Sequence, residues 1–524
     1  MEQRGKYALP RYTADTVTRQ LVGHLYRYMP FAVDVHRLFV TERFRAHGQP
    51  QGIDLVAVAR HARRAGRLFL VRDLMLLVCL APFVAGLVDG FMAFLTKDGA
   101  RLGRSLLLVL GALAAGTLVV FTWTWVMWRL AQAVQWGTTP PRDSAPAVGA
   151  VLEQELDALD DANVIVYSAE GPEGDQPFLG SGVSVLEKVW AGIDVARPAE
   201  DDAGEKLTAK EFTAQELHAH VAEHVADIAG IDGLRAHNRL YVRGHHVRDL
   251  EAELLPDRLR RPVTRIAPEL VEEGVTETGD VMRTYLTLEL VGARGSYVVT
   301  VHVRARLVRS RLSWEVSAYY LPPVPAELSA KGTRPLDLGP HLLKVLDVTR
   351  GQLRNDLFGS VRRVLRRPLR RLADAMGLLW RRYRISRPRS HFDYGAYGTL
   401  RAAAATLQRE WDYTQRMDAR DAIQRIQQAL LHATEQFLTA HHIDTSDLRH
   451  AHKTINNQTY NFSGPISGQN NFGNRGVNIV TGHRPGLGPA RGPGAGPGPA
   501  LGSGTGSGTG TSPAPSGASG STAK

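Results

Sequence analysis

The chain is almost without cysteine. Cys79 stands alone in 524 residues, so neither an intrachain disulfide nor a cysteine-built zinc site can form. An early apolar core followed by a cleavage site is also lacking. The opening stretch up to residue 70 is polar and arginine-rich, which argues against a secretory signal. Net charge is absent from most of the chain. Residues 341–390 hold 14 Lys/Arg against 3 Asp/Glu, an excess of eleven that equals the whole formal charge of +11. The protein is therefore not basic all over; it carries one basic element. The glycine-rich FLGSG (Phe178–Gly182) lacks the Lys-Ser/Thr of a phosphate loop and reads as a turn.

Long stretches without charge are what the sequence does have. Leu74–Leu95 contains one charged residue, Asp89, and Ser105–Trp128 contains none. A bilayer core of ~30 Å needs ~20 helical residues, so each stretch is long enough to span. Trp123, Trp125 and Trp128 followed by Arg129 resemble an interfacial aromatic belt. The connector Thr96–Arg104 permits only a turn between antiparallel helices. Gly86 and Gly90 form a GxxxG, and Gly111/Ala115 and Ala112/Gly116 repeat the small-residue spacing, which suits close helix contact within the hairpin or between copies. Arg60, Arg63, Arg64, Arg67 and Arg72 precede the spans and Arg129 and Arg142 follow them, against Lys97, Arg101 and Arg104 in the connector. The positive-inside rule then places both termini in the cytoplasm and the protein in the cell membrane. Asp89 is the intramembrane polar group. It is a relay candidate on cost grounds, since a central carboxylate costs ~2.5–3.5 kcal/mol, or a bonded, off-centre group on geometric ones.

Composition divides the remainder. Residues 1–72 form an N-terminal cytoplasmic segment, with Thr13–Phe44 and Ile53–Leu68 read as short helices. Residues 73–131 are the hairpin and 132–154 a proline-rich linker. Residues 155–338 read as an α+β domain. Its clearest part is a three-stranded meander in which Tyr297, Val299, Val301, Val303, Ala305 and Leu307 alternate with Val298, Thr300, His302, Arg304 and Arg306. Phe212–Ile228 reads as an amphipathic helix, and 391–453 as a helical region. Residues 454–484 are rich in Asn and Gly with interspersed aromatics and read first as a polar linker into the tail, with self-association through stacking as the alternative. Residues 485–524 are a Gly/Pro/Ser-rich tail expected to be disordered.

The one metal-like pattern is HVAEH (His220–His224), an HxxEH in which His220 and His224 would share a helix face and Glu223 could act as base. His224 also falls on the apolar stripe of Leu217, Val221, Val225 and Ile228, where it can simply be a core residue. No third ligand declares itself, so neither metal nor cofactor is assigned and no catalytic residue is named.

The basic segment 339–390 centres on VRRVLRRPLRRLADAMGLLWRRYR (Val361–Arg384). Leu357, Val361, Val364, Leu365, Leu369, Leu372, Met376 and Leu379 recur at helical spacing, with Arg362, Arg363, Arg366, Arg367, Arg370, Arg371, Arg381 and Arg382 mainly on other faces. Pro368 is expected to kink or divide the element. This is the pattern of an interfacial helix on anionic lipid head groups. Nucleic acid is disfavoured by the few aromatics, the absence of a DNA-binding motif, and the tether to a membrane.

Several stretches together, NVIVYS (Asn163–Ser168), PFLGSG (Pro177–Gly182) with Trp190, RPVTRI (Arg261–Ile266), EVSAYYLPP (Glu315–Pro323), FDYGAYGTLR (Phe392–Arg401) and IDTSDLR (Ile443–Arg449), resemble a family of two-span membrane proteins of high-GC actinobacteria with no known activity. The insert GPEGDQ (Gly171–Gln176) departs from the shorter loop of that layout. The resemblance implies membrane location and layout, not a reaction. The expectation is a membrane-tethered binding, scaffold or signalling module. A membrane-associated enzyme using the HxxEH, and a small oligomeric transporter using Asp89, are the alternatives.

Overall fold

The computed structural model describes residues 15–448, apart from 171–175, 191, 202, 251–252, 277–278, 280, 326–327, 329–337, 388–390 and 406–412. The Asn/Gly-rich motif at 454–484, the tail at 485–524 and most of the GPEGDQ insert lie outside the described residues. Two units separate, 1–481 and 482–524, and all the elements below belong to the first.

The N-terminal part begins with α1 (Thr16–Arg27) and α2 (Met29–His36), which passes into a π-helical turn at Arg37–Thr41. Then comes α3 (Leu55–Thr96), a helix of 42 residues whose N-terminus is capped by Asp54, its carboxylate accepting from the Ala57 N–H at 3.0 Å. Ile53–Leu68 is thus not a separate short helix. Nothing between Leu68 and Leu74 breaks the backbone ladder, so the amphipathic stretch and the apolar stretch fuse across the expected boundary at 72. Lys97 adopts a left-handed conformation, and Asp98 caps α4 (Gly99–Trp136) by accepting from Arg101 N–H at 3.0 Å. The turn between the antiparallel helices is therefore two residues long. Gly86 supplies the close approach: a Cβ there would meet Val109 at 2.9 Å, so the GxxxG serves contact inside the hairpin.

After α5 (Ala150–Asp157), a mixed sheet forms from β1 (Val164–Tyr167), β2 (Val183–Val189), β3 (Ile193–Asp194), β4 (Arg235–Arg243), β5 (Met282–Gly292), β6 (Tyr297–Val308) and β7 (Arg311–Leu321). The order is β1-β4-β5-β6-β7-β2, with β3 also paired to β7; β1 runs parallel to β4 and the other pairs are antiparallel. The expected meander is β5-β6-β7, at the centre of a larger sheet. The fold is α+β, with two long apolar helices beside a mixed-sheet domain.

The apolar face of the meander packs under α6 (Ala214–Ala229) and α10 (Tyr413–Ala440). Thr213 and Glu216 form a reciprocal capping box at the start of α6. Trp314, Val299, Val301, Val303, Leu217, Val221, Ile423, Ile426 and Leu430 are all buried in this one core. Each such side chain contributes ~1.5–3 kcal/mol on leaving water. The helical region after 391 is thus no separate layer; it supplies the second half of the sheet's cover. Sequence periodicity shows which faces are apolar but not that two helices 200 residues apart share one sheet.

The second face of the sheet is buried as well, although it carries Arg239, Glu289, Thr300, His302 and Arg304. Several of its polar groups pair with one another. Arg239 forms a two-pronged pair with Glu289, and His302 meets Ser181 Oγ at 3.0 Å, with Tyr241 OH and Thr287 Oγ1 each at 3.2 Å. Phe178, from the FLGSG turn, stacks on the His302 ring at 4.0 Å. Of the remaining helices, α7 (Pro268–Thr276) closes the apolar face near β4 and β5. The helix α8 (Leu338–Ser386) packs along α3 and α4, and α9 (Leu400–Ala405) is buried among the N-terminal helices. α8 runs 49 residues without a division at Pro368. Proline removes a single donor, and the turns on either side continue the ladder.

Candidate ligand-binding cleft

The geometry that joins α8 to the hairpin starts at the residue pair that precedes the first apolar stretch, Arg72–Asp73. The Asp73 carboxylate is fully buried and receives Arg72 at 3.1 Å, Arg363 at 3.0 Å and Arg367 at 3.3 Å. Asp356 accepts from Arg72 at 3.1 Å and from Arg363 at 3.5 Å. Three guanidiniums meet two carboxylates, and burial pushes the Asp356 carboxyl up and the Arg367 guanidinium down. Further along the same contact Leu357 lies against Gly116, the Phe358 ring is 6.3 Å from Phe83, and the Lys344 ammonium sits over Trp128 at 5.5 Å.

The eight arginines singled out above therefore divide. Arg363 and Arg367 turn inward to Asp73, and Arg381 reaches Glu42 at 2.6 Å, while Arg362, Arg366, Arg370, Arg371 and Arg382 are exposed. The buried partners Asp73 and Asp356 are absent from the sequence-level reading. A charged pair abutting an apolar stretch is the signal that points to Asp73; Asp356 carries none.

Beyond the cluster, α8 forms one side of a cleft of about 500 Å³. The other sides are the π-helical turn with the loop after it, and the segment His391–Leu400. A π-turn carries an extra residue per turn, here through Glu42 N–H donating to Arg37 O at 3.1 Å. Such turns are rare and concentrate at functional sites. Two ion pairs tie α8 to this turn: Arg37 to Asp374 and Arg381 to Glu42, both at 2.6 Å. Arg45 enters from the loop, its guanidinium 3.8 Å over the Tyr397 ring and 3.5 Å from Asp393.

The segment Phe392–Arg401 is held by its backbone. Ala396 bridges Tyr167 at the free edge of β1, with Ser168 N–H donating to Ala396 O at 3.0 Å and Ala396 N–H to Val166 O at 2.9 Å. Asp393 accepts from Ser168 Oγ and from Gly395 N–H at 2.9 Å. Gly395 has no room for a side chain: a Cβ would lie 2.3 Å from the carbonyl carbon of Tyr167. The stretches NVIVYS, PFLGSG and FDYGAYGTLR, far apart in the chain, meet here, since Gly180 also presses on Thr399.

Polar groups face the cleft from every side. His47 carries a buried Nε2 with no hydrogen-bond partner among the described residues, and burial together with Arg261 holds its imidazole neutral, well below the usual histidine range. His245 lies 3.7 Å from Glu170. Burial raises the Tyr397 phenol. With Phe39, Phe392 and Trp380 among its walls, the cleft has the size and mixed lining of a small-molecule site.

A family model described as an AbeC-like domain matches residues 189–476, more than half of the chain. The chain belongs to the AbeC-like family. None of the curated proteins and none of the solved structures matches it. RPVTRI, EVSAYYLPP, FDYGAYGTLR and IDTSDLR fall inside the AbeC-like domain, whereas the hairpin, NVIVYS and PFLGSG precede it. The cleft lies at the domain's border: α8, His245 and His391–Leu400 belong to the AbeC-like domain, while Asp34–Gly48, Leu55 and Glu170 come from the N-terminal part.

The other sequence candidates sit elsewhere. His220 and His224 stack at 4.2 Å on α6, His224 Nδ1 donates to the His220 carbonyl at 2.8 Å, and Glu223 is exposed. Burial, with His224 adding, lowers the His220 imidazole. Among the described residues no three His, Cys, Asp or Glu side chains come together as a metal site. Asp89 pairs with Arg101 and accepts from Ser105 Oγ, each at 2.7 Å, near the tip of the hairpin.

Proposed function

We propose that the protein is an integral membrane protein in which α3 and α4 cross the bilayer as a hairpin. The AbeC-like domain then works on the cytoplasmic side as a tethered binding module, with its ligand in the cleft. One observation carries the membrane reading. In the most apolar 18-residue window of each helix only 22% of the residues are buried. A core helix of a soluble protein would bury that surface; here Val78, Phe91, Phe94, Leu95, Leu107 and Leu118 stand more than half exposed. Left in water, each forgoes ~1.5–3 kcal/mol, and contiguous apolar surface on this scale marks an interaction with lipid or protein. The basic residues at the base of the hairpin support a cytoplasmic body. Arg60, Arg63, Arg64 and Arg142 all bond to it, through Glu153, the carbonyls of Val148 and Ser144, and the pair Asp54 and Asp157.

Two experiments test this. Carbonate-washed membranes from cells expressing the full chain should retain it, and recovery in the supernatant would sink the anchor. A photo-crosslinking amino acid at Trp380, on the cleft wall, should give an adduct in those membranes that is lost with Arg384→Glu. The same probe at the exposed Val189 should not. Equal adducts at both positions would remove the cleft from the account.

A further inference from the structure

The half of α8 that follows Pro368 and the turn before it carry an exposed apolar row. Leu365, Leu369, Leu372, Met376, Leu379 and Tyr383 recur at alternating four- and three-residue steps, one stripe of a helix, and each is between 50% and 65% exposed. Cationic side chains lie around this row, on the adjoining faces of the helix. Arg362, Arg366, Arg370, Arg371 and Arg382 are exposed, and no ion pair to any of them occurs among the described residues. The arginines with carboxylate partners, Arg363, Arg367 and Arg381, lie on the opposite side and fix the rotation of the helix against Asp73 and Glu42.

We infer that this face of α8 lies on an anionic lipid surface, with the apolar row in the acyl boundary and the five free arginines among the head groups. The inference rests on the hairpin reading above, because α8 is packed against the middle of that hairpin through Leu357 and Phe358 and against its base through the Asp73 cluster. Charge decides between occupants. A second copy of the same face would set five arginines against five, whereas anionic head groups attract each one near the surface. A row of apolar side chains flanked by arginine is the pattern of a helix lying in the interface plane.

The test uses the full chain with Cys79→Ala, which frees the sequence of thiols. An environment-sensitive fluorophore is attached at Leu369→Cys, and in a parallel preparation at Leu87→Cys in the hairpin. The protein is reconstituted into vesicles of phosphatidylcholine and into equal mixtures of phosphatidylcholine and phosphatidylglycerol. The expected result is a blue-shifted emission at position 369 in the mixture. That shift should be lost when Arg362, Arg366, Arg370, Arg371 and Arg382 are all replaced by Gln, while position 87 stays blue-shifted throughout. An aqueous spectrum at 369 beside a buried one at 87 would overturn the docking and leave the anchor intact. Aqueous spectra at both would overturn the two together. A shift at 369 that follows protein density rather than lipid charge would assign the face to a second copy. Retention of duplex DNA at physiological salt with 369 aqueous would assign it to nucleic acid.

Discussion

At the level of single residues, the Asp73 carboxylate answers three arginines and is fully buried. Removing one partner from a buried ion cluster leaves uncompensated charge and costs roughly 3–5 kcal/mol. Asp73→Asn should therefore lower the unfolding midpoint of the purified protein far more than Asp89→Asn, because Asp89 and Arg101 are both partly exposed. Equal effects would mean the cluster does not lock α8 to α3. Gly395 offers a second test: Gly395→Ala must displace backbone at Tyr167, so soluble expression or thermal stability should fall sharply. Gly351→Ala, in open space on a helix, should gain up to ~1 kcal/mol. His218 is a third such residue. Its Nε2 accepts from Ala305 N–H at 2.9 Å and its Nδ1 faces Asn238 at 3.3 Å, which fixes the neutral tautomer with the proton on Nδ1.

Among the elements, the most readable were those whose pattern is local. Both apolar helices, the β5-β6-β7 alternation and α6 follow from charge-free runs, period two and an amphipathic stripe. The cleft was not readable, because Arg37, Arg45, His47, Asp374 and Asp393 come from three separate segments that only tertiary packing unites. For α8 the sequence shows the apolar row but not which arginines turn inward, since Asp73 lies 290 positions from Arg363. Pro368 inside α8 gives an element-scale prediction. Pro368→Ala restores a backbone donor to a helix that is already continuous, so stability should rise, by up to ~3 kcal/mol. A fall would mean that the proline shapes a bend the packing needs.

For the molecule as a whole, buried neutral histidines set the response to acid. Burial lowers His24 to about 3, and His61 and His218 to about 4, well below the unfolded value of ~6.5. The unfolded chain then binds protons that the folded one refuses. The stability these groups contribute is fully present above pH ~6.5 and is lost as the pH falls toward 4, by up to ~1.4 kcal/mol per pH unit for each. Urea midpoints should therefore drop between pH 6.5 and 5, and His218→Gln should flatten part of that slope; a pH-independent midpoint would contradict the buried tautomers. The central claim, that α3 and α4 cross a membrane and leave the AbeC-like domain on one side, is tested most directly by thiol access. In a Cys79→Ala background, Gly99→Cys marks the tip of the hairpin and Thr138→Cys marks its base. A membrane-impermeant maleimide added to intact cells should label Gly99→Cys at once and Thr138→Cys only after permeabilisation. Labelling of both from the same side, at similar rates, would contradict a membrane-crossing hairpin.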